Sequence, residues 1–246
     1  MKEYFYGFAM CQSMFCSIPF PCHVWEEKAR SKMLLFLPVI GLEIGALWAM
    51  LGWLCRYFAL SPFLLALGMT VLPYLLTGFI HLDGFMDVTD AVGSCRSLQK
   101  RREILKDSHV GSFAVIGIVL LMLSMFALFA GLKPETNLWA LIFLPAISRS
   151  CGGLAVLTLP SMSTSQYNGQ IKNKGQVLFM VLVLVCLLAL GFVFWGKYGF
   201  AGLGCCLGFS LALRKGYRSL EGMNGDISGY SITLGELAGV LTLILL

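Results

Sequence analysis

Five apolar runs constrain this chain more than any other feature: residues 33–55, 60–82, 113–132, 138–159 and 177–195. Each is close to the roughly 20 residues that a helix, rising about 1.5 Å per residue, needs to cross a hydrocarbon layer of about 30 Å. Two further stretches, 198–213 and 227–246, are shorter or diluted by Gly and one Glu, and are read as spans as well. Alternating strands of about ten residues, the mark of a membrane barrel, are absent. A soluble core of unusual greasiness is the remaining alternative. Only 13% of the 246 residues are charged, against about 25% in soluble domains, which excludes an ordinary soluble domain and a disordered chain. The expectation is an all-α, polytopic membrane protein with about seven membrane helices, residues 1–246 forming one integral membrane domain.

The nine Cys are scattered without a C-x-x-C pair, and only His23 beside Cys22 hints at a metal pattern that nothing completes. They read as reduced packing residues. Residues 4–22 are apolar and aromatic but are interrupted by Gln12, Ser13, Pro19 and Pro21. They lack the clean apolar centre of a secretory leader and read as a short interfacial helix and a Pro-rich turn, retained in the protein.

Basic residues set the orientation. With alternating sides, thirteen of the eighteen Lys and Arg fall in the loops around 28–32, 96–106, 172–174 and 214–218, and only Arg56, Lys133 and Lys197 fall opposite. The positive-inside rule puts the first set in the cytoplasm. Topology and anionic lipid account for the net charge of +5, so membrane lipid is an expected partner and nucleic acid is not. The polar stretch 161–176, with Lys172 and Lys174, reads as a mobile loop without a site pattern.

Acidic residues are then informative. Asp83, Asp87 and Asp90 stand at i, i+4 and i+7 within Gly78-Phe79-Ile80-His81-Leu82-Asp83-Gly84-Phe85-Met86-Asp87-Val88-Thr89-Asp90. On a helix they share a face, where like charges repel unless a cation lies between them. Mg²⁺ suits such a site, since it binds through one or two carboxylates, substrate phosphates and waters. A solvated acidic helix end is the plainer reading. His81 beside them reads equally as a hydrogen-bond partner or an interfacial His. A basic run follows, from Arg96 through Arg101, Arg102 and Lys106 to Asp107-Ser108-His109-Val110-Gly111. It reads as phosphate-binding or simply as topology-setting. Near the end, Glu221-Gly222-Met223-Asn224-Gly225-Asp226 places Gly and Asp at a helix start, where backbone N–H groups can meet an anion. A plain helix cap is as good a reading. Glu236 and Arg149 fall inside spans, where a charge is costly without a partner. They either pair with each other or line a cavity. Glu43, also within a span, raises the same question.

These residues together resemble the cobalamin synthase family, the adenosylcobinamide-GDP ribazoletransferases. The family carries G-x-x-H-L-D-G-x-x-D-x-x-D, seen from Gly78 to Asp90. A basic run then ends in D-S-x-x-G, seen from Asp107 to Gly111. G-G-x-T-G-D-x-x-G follows and then a final helix containing Glu, seen from Glu221 to Gly229 and at Glu236. Pro38-Val39-Ile40-Gly41 with Gly45, and Arg149 in the fourth span, are similar to the family as well. The departures are Ala91, Glu221 and Thr233 in place of Gly, Gly and Glu, and Asn224 in place of Thr; Glu43 is off-pattern and receives no role.

The resemblance implies a Mg²⁺-dependent transferase of the bacterial inner membrane with its active site facing the cytoplasm. Adenosylcobinamide-GDP and α-ribazole, or α-ribazole 5′-phosphate, would give adenosylcobalamin, or its phosphate, and GMP. It implies Asp83, Asp87, Asp90 and Asp226 as metal ligands, with Asp83, Asp87 and Asp107 as catalytic residues. Asp107 or Asp226 would complete a second metal site or act as general base. His81, Arg96, Arg101, Arg102, Lys106, Arg149, Gly225 and Glu236 would contact substrate. Assembly as a homo-oligomer is left open. Two rivals remain. A CDP-alcohol-type phosphotransferase would place A-R after Asp83-Gly84, which is not found here. A divalent-cation transporter would hold its acidic residues near mid-bilayer rather than beside a basic loop.

Overall fold

The computed structural model of the protein describes residues 2–163, 165 and 173–246; Lys172 lies outside them. Among the described residues there is no β-strand, and only an isolated bridge joins Ser161 to Met223. The chain is helical in the order α1 (Lys2–Phe15), α2 (Arg30–Met33), α3 (Leu37–Tyr57), α4 (Pro62–Leu76), α5 (Ile80–Gly93), α6 (Leu98–Ile104), α7 (Ser112–Ala130), α8 (Leu144–Thr158), α9 (Lys174–Trp195), α10 (Phe200–Leu220) and α11 (Gly225–Leu245).

Among the described residues five helical stretches are long and apolar enough to cross a membrane: Glu27–Tyr57, Ser112–Ala130, Leu138–Thr158, Lys174–Leu220 and Gly225–Leu245. The bent pair α4–α5 would make six, so the expected count of seven is not confirmed. The 47-residue stretch Lys174–Leu220 contains both α9 and α10. A Cβ on Gly199 would lie 2.9 Å from the carbonyl carbon of Gly191. Eight residues of straight helix would hold these positions about 12 Å apart, so the chain reverses at the Gly196–Gly199 turn.

The apolar run 60–82 is not one helix. Gly78 and Phe79 both adopt left-handed backbone, with φ of 56° and 64°, and α5 leaves α4 at 93°. Gly takes such a φ at no steric cost, which is the structural reason for the glycine that opens the motif. The turn lays α5 across one end of the bundle. There it meets the first turns of α7, the N-terminal half of α11 and the last turns of α10, with Gly93 on Phe113, Gly84 on Asp226 and Val88 near Gly216.

Loop contacts define the two ends. At one, Arg56 donates to the carbonyls of Thr136 and Lys133, and Tyr198 to that of Glu135. At the other, Arg102 donates to the end of α10, Gln176 to Ser31, and Met162 pairs with Met223. The basic loops at 28–32, 96–106 and 214–218 gather at this second end, together with α5 and the start of α11.

The N-terminal segment forms the expected short helix, α1, and packs one face into the protein. Met10, Cys11 and Phe15 of α1 are buried against Met33, Leu34, Ile40 and Ile44. Gln12, read in the sequence as an interruption, is buried and donates from Nε2 to Glu43 Oε1 at 3.2 Å.

Glu221, which ends α10, adopts φ 51°. A side chain in left-handed backbone costs about 1–2 kcal/mol. Glu221→Gly is therefore expected to stabilise the protein by about 1 kcal/mol, raising its unfolding midpoint in detergent by about 2–4 °C. An unchanged midpoint would count against the strain.

Candidate active site

The crossing of α5 and α11 builds the site from two motifs far apart in sequence. A Cβ on Gly84 would meet Asp226 Cα and O at 2.9 Å, and one on Gly229 would meet the His81 carbonyl at 3.0 Å. Each motif thus supplies the glycine on which the other's functional residue rests. Small residues at such points allow helices to approach closely. Gly84→Val is expected to cost about 1–3 kcal/mol by overpacking, read as thermal unfolding in detergent; an unchanged midpoint would mean that the two helices are not so close.

At this crossing Asp83 and Asp226 line one cavity together with His81, Gly225 and Ser228. Asn224 caps α11, its Oδ1 accepting from Ile227 N–H at 3.0 Å while its Nδ2 donates to Asp226 Oδ2 at 2.6 Å. An Asn in the Thr position therefore keeps the cap and also orients Asp226. Asp83 is exposed, and Asp87, one turn on, is half-buried. Asp87 is pushed up to about 7, by burial first and then by the charges of Asp83, Asp226 and Asp90. Such mutual repulsion is relieved by a cation.

Among the described residues no three His, Cys, Asp or Glu side chains are gathered into a ready-made metal cage. The donors are carboxylate oxygens, and two of them, on Asp83 and Asp226, line the same opening. This fits Mg²⁺, which takes few protein ligands and fills its shell with water and phosphate, and does not fit a closed structural metal site.

Behind the cavity lies a buried polar cluster. Arg149 Nη1 donates to Glu236 Oε1 at 2.6 Å and to the Pro145 carbonyl at 3.1 Å, and Ser148 Oγ donates to the same Glu236 oxygen at 2.8 Å. Arg149 Nη2 donates to His81 Nδ1 at 3.4 Å. Arg has no lone pair to offer, so Nδ1 is the acceptor and the His81 proton sits on Nε2. The ring stacks on Phe15, with centroids 6.0 Å apart and planes 6° apart. Thr233 Oγ1 donates to the His81 carbonyl at 3.3 Å. Arg149 and Glu236 therefore face each other, and His81 stands between them and the cavity.

Of the remaining expected site residues, Arg102 and Lys106 reach Asp226 from another side, whereas Asp90 and Arg96 do not line its cavity. Asp90 turns toward α7, where the Ala114 N–H donates to its Oδ1 at 3.4 Å and Gly111 leaves room for the carboxylate. With Arg96 and Lys100 it lines a separate open cleft. Arg102 is engaged in holding α6 to the end of α10, donating to the carbonyls of Leu220 at 2.9 Å and Glu221 at 2.8 Å. Lys106 and Asp226 line a further opening. The buried Nε of Arg101 has no hydrogen-bond partner among the described residues. Asp107 is exposed and accepts from His109 N and Nδ1 at 3.0 and 2.6 Å. Those contacts hold its carboxyl below the usual range, the side-chain bond to His109 most strongly, which makes it a weaker base.

Comparison with known proteins shows the family. The family model described as cobalamin-5-phosphate synthase matches residues 7–244. The chain belongs to this family. It is similar to the adenosylcobinamide-GDP ribazoletransferase of Clostridium perfringens (strain 13 / Type A), with 37% identity over 99% of both chains. It is also similar to that of Clostridium botulinum (strain Alaska E43 / Type E3), with 34% identity over 98% of both. The relative of that name from Lachnoclostridium phytofermentans is 28% identical over 95% of this chain and 91% of its own. No solved structure matches. In this member of the cobalamin-5-phosphate synthase family, Asp83 of the α5 motif and Asp226 at the start of α11 line a single cavity.

Proposed function

We propose that the protein transfers the adenosylcobinamide-phosphate group of adenosylcobinamide-GDP to α-ribazole, or to α-ribazole 5′-phosphate, with release of GMP. It does so in the bacterial inner membrane, with its basic end in the cytoplasm among anionic lipids. The observation that carries this reading is the cavity shared by Asp83 and Asp226, in a chain matched along its length by relatives of that name.

In the reaction, a ribose hydroxyl oxygen of the acceptor bonds to the phosphorus on the cobinamide side. The bond from that phosphorus to the bridging oxygen breaks, and GMP leaves with that oxygen and the electron pair. Little covalent work falls to the protein in such transfers, so positioning and charge dominate. Asp83 and Asp87, a helical turn apart on α5, are the residues that would hold Mg²⁺. The chemistry Mg²⁺ supplies when bound there is charge neutralisation on the diphosphate and on the departing GMP. Asp226 lies on the same cavity with one oxygen held by Asn224, and is placed to accept the hydroxyl proton. Asp107, away from the cavity and with its carboxyl held down by His109, is not. His81 offers its Nε2–H as a neutral donor. Lys106, which shares an opening with Asp226, brings positive charge toward the nucleotide phosphates, whereas Arg96 lines a separate cleft and Arg102 serves chiefly to dock α6.

The test is product stoichiometry. Detergent-purified protein with adenosylcobinamide-GDP, Mg²⁺ and either acceptor should yield GMP and the cobalamin product in equal amounts, and none without acceptor. GMP without a corrinoid–ribazole product, or no GMP with either acceptor, would sink the reading.

A further inference from the structure

The cavity at Asp83 and Asp226 is divided chemically along its length. His81, Asp83, Asp226 and Ser228 form a polar end. Phe15, Leu34, Leu37, Val156 and Ile232 wall the other, where α1 and the Leu34–Phe36 turn pack beside α8 and α11. The cavity encloses about 580 Å³ of empty space, part of it open to solvent. The proposed reaction, on which this inference rests, brings together three bulky parts: a corrinoid, a guanosine nucleotide and a ribazole. We infer that this cavity is the acceptor subsite, with the ribazole's aromatic base against the apolar wall and its ribose at the polar end.

The wall discriminates among the three. Phe, Leu, Val and Ile side chains offer no hydrogen-bond donor or acceptor. A guanine base placed there would leave its amino, imino and carbonyl groups unpaired, a loss that a buried site penalises heavily. A benzimidazole-type base presents C–H edges and buries apolar surface instead. The corrinoid, with its amide arms and adenosyl group, is too large and too polar. The polar end suits a ribose, because the His81 Nε2–H and two carboxylates offer both donor and acceptors to hydroxyl groups. The stack of Phe15 on His81 ties the apolar wall to the polar end.

The experiment narrows the apolar end and reads the two substrates separately. In Val156→Phe the KM for α-ribazole, measured at saturating adenosylcobinamide-GDP, should rise about tenfold or more. The KM for adenosylcobinamide-GDP, measured at saturating α-ribazole, should stay within about twofold. Free benzimidazole should compete with α-ribazole in the unmutated protein and lose potency in the variant. Should Val156→Phe not fold, Val156→Leu, which adds one methylene, tests the same wall. A shift in the donor's KM instead of the acceptor's, or no shift in either, overturns the assignment while the transfer reaction stands. An unmutated protein that neither binds α-ribazole nor releases GMP overturns the proposed function, and this subsite with it.

Discussion

Asp83→Asn is expected to lower GMP release on the order of 10³-fold, the equivalent of about 4 kcal/mol of transition-state stabilisation, the scale on which a metal ligand at a phosphoryl centre acts. The protein should remain folded, because Asp83 is exposed at the mouth of its cavity and Asn preserves its shape. Asp87→Asn should behave alike in turnover. It should also relieve repulsion, since Asp87 is the carboxyl that burial and its acidic neighbours push up to about 7. Lys215→Ala, at an exposed position on the same end of the bundle, is the comparison and should release GMP at nearly the unmutated rate. Near-normal release from Asp83→Asn would refute the assigned role; loss of folding in that variant would refute the claim that the residue is free of structural duty.

Arg149→Leu is expected to destabilise the protein by about 3–5 kcal/mol, because it strands the buried carboxylate of Glu236 without its ion-pair partner. Arg149 is 1% and Glu236 5% exposed, so solvent cannot take the partner's place. The double variant Arg149→Leu, Glu236→Leu should recover most of that loss, since apolar replacement of a buried pair is often neutral. Unfolding midpoints of the two single variants and the double variant form a cycle that isolates the coupling. The double variant should still turn over slowly, because His81 has lost the donor that fixes its proton on Nε2. Single variants that cost less than about 1 kcal/mol each would contradict the buried pairing.

Much of this architecture is legible in the sequence, because hydropathy reports burial in lipid and Lys and Arg report loop side. The i, i+4, i+7 spacing of Asp83, Asp87 and Asp90 does place them on one helix, α5. What hydropathy cannot report is backbone direction. The run 60–82 is apolar throughout, yet the left-handed Gly78 and Phe79 split it and turn α5 across the bundle. Nor does charge alone reveal its partner. Arg102 looks like its basic neighbours but is bound to two helix-end carbonyls. Asp90 looks like Asp83 but caps α7. The contact of Gln12 with Glu43 is not legible either, although both are polar residues within apolar stretches. The reciprocal seats of Gly84 on Asp226 and Gly229 on His81 depend on how α5 and α11 cross, which no local pattern encodes.

The proposed chemistry requires a metal bound at Asp83 on the cavity that Asp226 also lines. The decisive measurement is a structure of the protein with adenosylcobinamide-GDP bound and Mn²⁺ in place of Mg²⁺, the ion located by its anomalous signal. The expected result is an ion bonded to Asp83 at about 2 Å and to the donor's diphosphate, with the Asp226 carboxylate facing the same cavity. An ion and diphosphate lodged instead in the cleft of Asp90, Arg96 and Lys100, with Asp83 and Asp226 more than about 12 Å away, many times a metal–oxygen bond, would contradict it.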